Sequence, residues 1–333
     1  MRALELRAYD DRPESVTIVD CPDPRPGPGE VLVRVAASPI NPSDLMFLRG
    51  LYGFTKPLPT IPGFEGSGTV VDSGSGLMSR YLKGKRVACT AADPKISGGM
   101  WAEYVVTSAQ LCIPLDDNVS LDQAAMMLVN PITAWAMVDE ARRNHDRAIV
   151  QTAAASALGR MVIRLCRRFQ IPLINVVRRP EQVELLKREG SEHVLNSEDP
   201  AFDSALRELA RLLGATIAFD AVAGELTARV LRAQPKHSRL LVYGGLSLSA
   251  VQVDPGSLIF EGKTVEGFWL SAWLGRQSFL SKIRLSRRIQ SLLATDLKSD
   301  IRAKVSLDQA AAAIQQYAAD MTAGKILITP SPR

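Results

Sequence analysis

The stretch DRAIVQTAAASALGRMVIRLCRRFQIPLINVVRR, residues 146–179, decides the fold. Ala148-Ile149-Val150-Gln151 has the pattern of a short buried strand. Ala153-Ala154-Ala155-Ser156-Ala157-Leu158-Gly159 follows with almost no side-chain bulk. Val162, Leu165, Cys166 and Phe169 then recur at helical spacing, with Arg164, Arg167 and Arg168 on the opposite face. A second apolar run, residues 171–177, ends on Arg178-Arg179. Strand, small-residue turn, helix and strand in this order form a dinucleotide-binding βαβ unit. The small residues let the backbone approach a pyrophosphate, and the helix N-terminus offers free N–H groups at its positive end.

An NAD site usually places an acid about 20 residues beyond the turn, to accept from the ribose 2′-hydroxyl. Arg178 occupies that place, nineteen residues after Gly159, with Arg179 beside it. Guanidinium groups only donate, so the pair suits a 2′-phosphate and hence NADPH. A solvated strand end is the competing reading of the same two residues. The turn departs from the usual fingerprint, because a glycine is expected where Ser156 or Ala157 stands.

The chain has 333 residues, enough for two domains and a large core. With 46% hydrophobic and 23% charged residues, it has the balance of an ordinary globular protein. Met1-Arg2-Ala3-Leu4-Glu5 lacks the apolar core of a signal peptide, and no apolar run is long enough to span a bilayer. The expected location is the cytoplasm, with an organelle matrix left open. Cys21, Cys89, Cys112 and Cys166 are scattered without a C-x-x-C pair, which argues for a reducing compartment and against a zinc lobe. The formal charge of +5 is spread along the chain without aromatic interleaving, so neither nucleic acid nor a membrane is an expected partner.

Before residue 115 the pattern is of short strands, at 16–19, 30–35, 68–71 and 86–90, which suggests a β-barrel. Residues 121–128 and 134–142 read as helices around a break at Asn130-Pro131. Strands at 148–151, 171–177, 217–220 and 240–242 alternate with helices, which implies a parallel doubly wound sheet. Residues 282–295 and 307–322 read as helices, and Lys325-Ile326-Leu327-Ile328 as a last strand. A barrel before a nucleotide-binding sheet implies a cleft between domains for the cofactor.

These segments resemble the medium-chain dehydrogenase/reductase superfamily, and within it the zinc-free, mitochondrial-type trans-2-enoyl-thioester reductases. The resemblance covers nearly the whole chain. It is carried by Ile40-Asn41-Pro42-Ser43-Asp44, Arg49-Gly50-Leu51-Tyr52-Gly53, Val129-Asn130-Pro131-Ile132-Thr133-Ala134, Ile174-Asn175-Val176-Val177-Arg178, Tyr243-Gly244-Gly245 and Gly267-Phe268-Trp269-Leu270-Ser271-Ala272-Trp273. It implies an α/β fold: a GroES-like β-barrel catalytic domain, residues 1–118 plus 264–333, and a doubly wound Rossmann domain, residues 119–263. Where zinc-dependent members carry a cysteine ligand and Gly-His-Glu, this chain has Asn41 and Gly63-Phe64-Glu65, and phenylalanine cannot ligate a metal. No metal is therefore expected. The three histidines, His145, His193 and His237, have no ligand partners at useful spacing.

The resemblance also implies roles. Tyr52 matches the catalytic tyrosine, whose phenol stays protonated at neutral pH and can donate to an enolate. Asn41, Asn130 and Thr133 match positions near the cofactor. Ala155, Ser156, Ala157, Leu158 and Gly159 match the pyrophosphate turn, and Arg178 and Arg179 the 2′-phosphate clamp. Tyr243, Gly244, Gly245, Leu246, Phe268, Trp269, Leu270 and Lys325 match further cofactor contacts, and Trp273 the substrate pocket. The implied reaction is NADPH-dependent reduction of an activated C=C bond by hydride transfer to the β carbon of an enoyl thioester, which would belong to fatty acid metabolism. NADPH:quinone or alkenal reduction on the same fold is the alternative, and an NADPH-binding module without turnover a second one. A homodimer formed along residues 264–267 is expected.

Overall fold

The computed structural model describes residues 1–10, 12, 15–96 and 98–330. In chain order the first seven strands are β1 (Arg2–Leu6), β2 (Val16–Asp20), β3 (Glu30–Pro39), β4 (Glu65–Ser73), β5 (Arg86–Thr90), β6 (Tyr104–Ser108) and β7 (Cys112–Pro114). Six follow in the middle of the chain: β8 (Ala148–Gln151), β9 (Leu173–Val177), β10 (His193–Asn196), β11 (Ala215–Asp220), β12 (Arg239–Val242) and β13 (Thr264–Gly267). The last are β14 (Ile301–Val305) and β15 (Lys325–Ile328). The chain divides into two compact units, Met1–Asn130 with Arg284–Arg333, and Pro131–Ile283.

The second unit holds a six-stranded parallel sheet in the order β10-β9-β8-β11-β12-β13. Counted from β8 this is the 3-2-1-4-5-6 order of a doubly wound nucleotide-binding sheet, and the strand order reverses between β8 and β11. Every residue of β8 and β9 is buried, because helices cover both faces of a parallel sheet. The helix Ala157–Phe169 buries Leu158, Met161, Val162, Leu165 and Cys166, and Gln170 ends it in the left-handed region at φ 56°. That amphipathic face is the one read from the sequence. Burial also pushes the Cys166 thiol up to about 12, which keeps it unreactive.

The first unit is built on a seven-stranded sheet along the path β14-β15-β3-β4-β5-β7, with β6 on β3, and a separate β1–β2 ribbon. Its main core gathers Leu4, Ile40, Phe47, Phe64, Trp101, Leu307 and Tyr317. The C-terminal tail returns to this unit as expected: Leu327 and Ile328 of β15 pair with Pro39 and Ser38 of β3.

The boundaries differ from those drawn on the sequence. Residues 264–283 fall in the second unit, because β13 pairs in parallel with β12 as its sixth strand. The N-terminal unit likewise runs to Asn130, beyond residue 118. Asn130-Pro131 does not separate two long helices. Leu121–Ala124 is a single turn, and one helix, Asn130–Arg143, starts at that pair. Proline is tolerated there because the first helical N–H groups have no intrahelical partner.

Candidate active site

In the second unit the residues expected to hold a nucleotide stand at the C-terminal edge of the parallel sheet. Ser156 caps the helix Ala157–Phe169, its Oγ accepting from Gly159 N at 3.1 Å. A serine cap of this kind contributes about 1 kcal/mol. Ala154 N donates to Val176 O at 3.2 Å, which ties the turn to β9. Gly159 is required by close approach: a Cβ there would lie 2.5 Å from Ala154 O. Ala157, the departure from the fingerprint, lies in the first helical turn with Ser156 in the extended region before it, so the backbone asks for no glycine at either. The left-handed residue of the turn is Ala153, at φ 49°. An alanine held there costs about 1–2 kcal/mol.

Arg178 and Arg179 are exposed at the end of β9, and Gln182 Oε1 accepts from both backbone N–H groups at 3.3 and 3.2 Å. Tyr243, Gly244, Gly245 and Leu246 follow β12. A Cβ on Gly244 would lie 2.8 Å from Ala221 O, so the close contact between these loops requires glycine. The Tyr243 hydroxyl is buried without a partner among the described atoms, and burial raises its pKa. Phe268 N donates to Val242 O at 2.8 Å, extending the pairing of β12 and β13. Trp269 is 47% exposed and begins the helix Leu270–Gly275 with Trp273 half-buried, so Trp269 is not core packing.

In the first unit Tyr52 is half-buried on an aromatic platform. Its ring centroid lies 4.6 Å from Phe64 and 5.2 Å from Phe54, and Phe47 backs Phe64 at 5.2 Å. Lys56 is buried nearby in sequence, donating to Ala91 O at 3.0 Å and Gly98 O at 2.8 Å, and burial lowers its pKa to about 8.

Asn41 and Lys325 belong to a buried polar network. Both were expected at the cofactor, but they are 0% and 1% exposed. Lys325 Nζ donates to Asn41 Oδ1, to Ile40 O at 3.2 Å and to Tyr317 Oη at 3.2 Å. Asn41 Nδ2 donates to Glu65 Oε1 at 2.8 Å, and Glu65 Oε2 accepts from Leu128 N and Val129 N, both at 2.9 Å. Asp44 accepts from Asn41 N at 2.8 Å and Phe64 N at 3.0 Å. Their polar atoms are spent on one another, which places them beneath the surface as supports. Burial, reinforced by the neighbouring Glu65, raises the Asp44 carboxyl to about 7, and burial raises Glu65 as well. Asn130 and Thr133 are mostly buried at the start of their helix, 8% and 6% exposed.

Two buried acids at strand ends escaped the sequence reading as candidates. Asp220 ends β11 and joins Thr152 through a hydrogen bond of 2.7 Å. Glu65 joins three segments of the first unit. Asp220 closes the apolar run 217–219, which is its only local signal, and Glu65 precedes Gly66-Ser67-Gly68, which gives none.

Among known proteins, the alcohol dehydrogenase GroES-like domain family matches residues 27–117 and the zinc-binding dehydrogenase family residues 157–285. The chain is 32% identical over 267 residues to a mitochondrial enoyl-[acyl-carrier-protein] reductase of Caenorhabditis elegans, spanning 78% of this chain and 75% of that protein. A relative of the same description from Arabidopsis thaliana is 32% identical over 268 residues, 79% of this chain and 70% of that protein. A Mesorhizobium loti protein assigned as an NADPH:quinone reductase superposes with a TM-score of 0.91 at 38% identity, over 99% of this chain and 98% of that one. The chain belongs to the medium-chain dehydrogenase/reductase superfamily, in its zinc-free branch. Phe64 and Asn41 set this member of the superfamily apart from the zinc-dependent ones, since a phenyl ring has no lone pair to give and Asn41 is committed to Glu65 and Lys325.

Proposed function

We propose that the chain is an NADPH-dependent reductase of activated carbon–carbon double bonds, with a trans-2-enoyl thioester as substrate. The observation that carries the reaction is the Tyr52 phenol held on Phe54 and Phe64, the second of which stands where a zinc-dependent member has a ligand. The parts of the second unit suit the cofactor. A capped helix N-terminus without acid in its first turn favours a pyrophosphate, and Gly159 admits the backbone close to it. Arg178 and Arg179 would hold the 2′-phosphate through charge-assisted hydrogen bonds. Leu246, Phe268, Trp269 and Leu270, with Tyr243, Gly244 and Gly245, would frame the nicotinamide end. When bound, NADPH supplies the hydride.

The protein's own chemistry is then a matter of orientation and one proton. Tyr52 donates its O–H toward the thioester carbonyl oxygen as that oxygen gains negative charge, or to the α carbon as the general acid. The aromatic rings beneath it exclude water and fix its direction. Trp273 lines the acyl pocket in this reading. The names of the Caenorhabditis elegans and Arabidopsis thaliana relatives support a thioester. The higher identity and coverage of the Mesorhizobium loti protein favour the second reading, quinone or alkenal reduction with the same cofactor. Ordinary helical backbone at Ala157 weighs against reading the chain as a binding module without turnover.

A thioester substrate places the enzyme in fatty acid metabolism, within a reducing compartment that suits four free cysteines. Among the described residues no helix is long and apolar enough to cross a membrane. A homodimer along β13 completes the proposal. That strand is the sheet edge, and Ile259 and Phe260 just before it are 70% and 79% exposed. NADPH oxidation with crotonyl-CoA and with a small quinone, each measured for wild type and Tyr52→Phe, tests the proposal.

A further inference from the structure

Asp220 has no part in the roles assigned above, yet its carboxylate accepts four hydrogen bonds. It is fully buried. Its Oδ1 accepts from Thr152 Oγ1 at 2.7 Å, Val222 N at 2.9 Å and Ala223 N at 3.3 Å, and its Oδ2 from Thr227 Oγ1 at 2.6 Å. Thr152 Oγ1 in turn accepts from Ala221 N at 2.9 Å. The two residues therefore bridge the ends of β8 and β11. Between those two strands the sheet order reverses, and open α/β sheets bind their ligands at that reversal.

Two alanines flank the bridge in a conformation that L residues rarely adopt. Ala153, next to Thr152, has φ 49°, and Ala223, bonded to Asp220, has φ 64°. Strained backbone of this kind persists only where its surroundings determine it fully, and such sites cluster at function. Neither alanine has a polar side chain to hold itself. The loop after β11 also holds the loop after β12: Leu246 N donates to Ala221 O at 3.0 Å and Ser247 N to Val222 O at 2.9 Å. One carboxyl group thus braces three loops, those that follow β8, β11 and β12.

We propose that Asp220, acting through Thr152, is a positioning residue for nucleotide binding: it holds Ala153 and Ala223 in the left-handed region so that the pyrophosphate turn and the Tyr243–Leu246 loop are preorganised for NADPH. The proposal rests on the NADPH reading above. It accounts for buried polar residues, Thr152 and Asp220, at the C-terminal ends of β8 and β11. It also accounts for alanine, rather than glycine, at both left-handed positions, since the carboxyl supplies what glycine's freedom would otherwise supply.

The test is the NADPH dissociation constant, measured by cofactor fluorescence, for wild type, Asp220→Ala, Asp220→Asn and Thr152→Val, beside the acceptor KM and the melting temperature. Asn keeps the accepting oxygen toward Thr152 and the two N–H groups, and Val keeps the shape of Thr152 without its hydroxyl. The expected result is a constant weakened about tenfold or more in Asp220→Ala, about threefold or more in Thr152→Val and less than about threefold in Asp220→Asn, with the acceptor KM unmoved. Adding Ala153→Gly and Ala223→Gly to Asp220→Ala recovers part of the loss. Should Asp220→Ala fail to fold, Thr152→Val decides. Wild-type NADPH affinity in a folded Thr152→Val protein, or a fall in melting temperature with no change in affinity, overturns the proposal. A triple variant no better than Asp220→Ala overturns its strain argument. Wild-type protein that binds no NADPH overturns the functional reading itself, a result separate from any difference among the variants.

Discussion

The ring of Tyr52 lies 4.6 Å from the ring of Phe64, tilted by 45°. In zinc-dependent relatives the position of Phe64 belongs to a histidine ligand. Here the same backbone site carries a hydrocarbon floor on which the Tyr52 phenol packs. Phe64 is anchored from behind, its N–H donating to the buried Asp44 at 3.0 Å.

Tyr52→Phe removes the donor and leaves the ring on its platform. Reduction of crotonyl-CoA is expected to fall about a hundredfold or more in kcat, the low end of what general acid catalysis contributes. Quinone reduction, which needs no proton at a carbon atom, is expected to fall far less. Steady-state NADPH oxidation with both acceptors checks this. Equal, near-normal rates would remove Tyr52 from the mechanism.

Arg178→Ala and Arg179→Ala test the phosphate clamp. Each lost hydrogen bond between charged groups is worth about 1.5–3 kcal/mol, so the KM for NADPH is expected to rise about tenfold or more. The KM for NADH, which lacks the phosphate, is expected to stay near its wild-type value. An equal rise for both nucleotides would assign the arginines to structure instead.

The buried acid Asp44 makes stability depend on pH. Its carboxyl is raised from 3.8 to about 7 in the folded protein. The folded state therefore binds the proton more tightly than the unfolded state, and this stabilisation is complete below pH 3.8 and lost as the pH rises through about 7. Glu65 is shifted in the same direction. Asp44→Asn is expected to flatten the fall of melting temperature over that window. A wild-type slope in the variant would show that Asp44 titrates normally.

Phe260→Glu places a charge on the exposed apolar approach to β13. Light scattering is expected to give a dimer for wild type and a monomer for the variant. A monomeric wild type would exclude β13 as a pairing edge.

The nucleotide-binding half was legible in the sequence because its signals are local. Apolar runs of four or five residues, one amphipathic helix and a turn of small residues lie within residues 146–179 and predict what β8, the helix Ala157–Phe169 and β9 became. β10 was not legible, since His193–Asn196 is only half-buried and carries no apolar run. The supporting polar groups were hidden for a different reason. Thr152 and Asp220 are 68 residues apart, and Asn41 and Lys325 are 284 apart, so no spacing rule connects them. Similarity to a family placed Asn41 and Lys325 near the cofactor, but only the fold reveals that their polar atoms are already paired. The domain limit drawn at residue 263 falls short of Ile283 because β13 is short and mostly exposed, and its membership is set by pairing with β12 rather than by its own composition.

The central claim is hydride reduction of an enoyl thioester by NADPH. The most direct measurement is NADPH oxidation by the purified protein with crotonyl-CoA beside a small quinone, with the saturated thioester identified by mass. The account predicts stoichiometric butyryl-CoA and a higher kcat/KM for the thioester than for the quinone. Oxidation of NADPH by the quinone alone, with crotonyl-CoA returned unchanged, would contradict it.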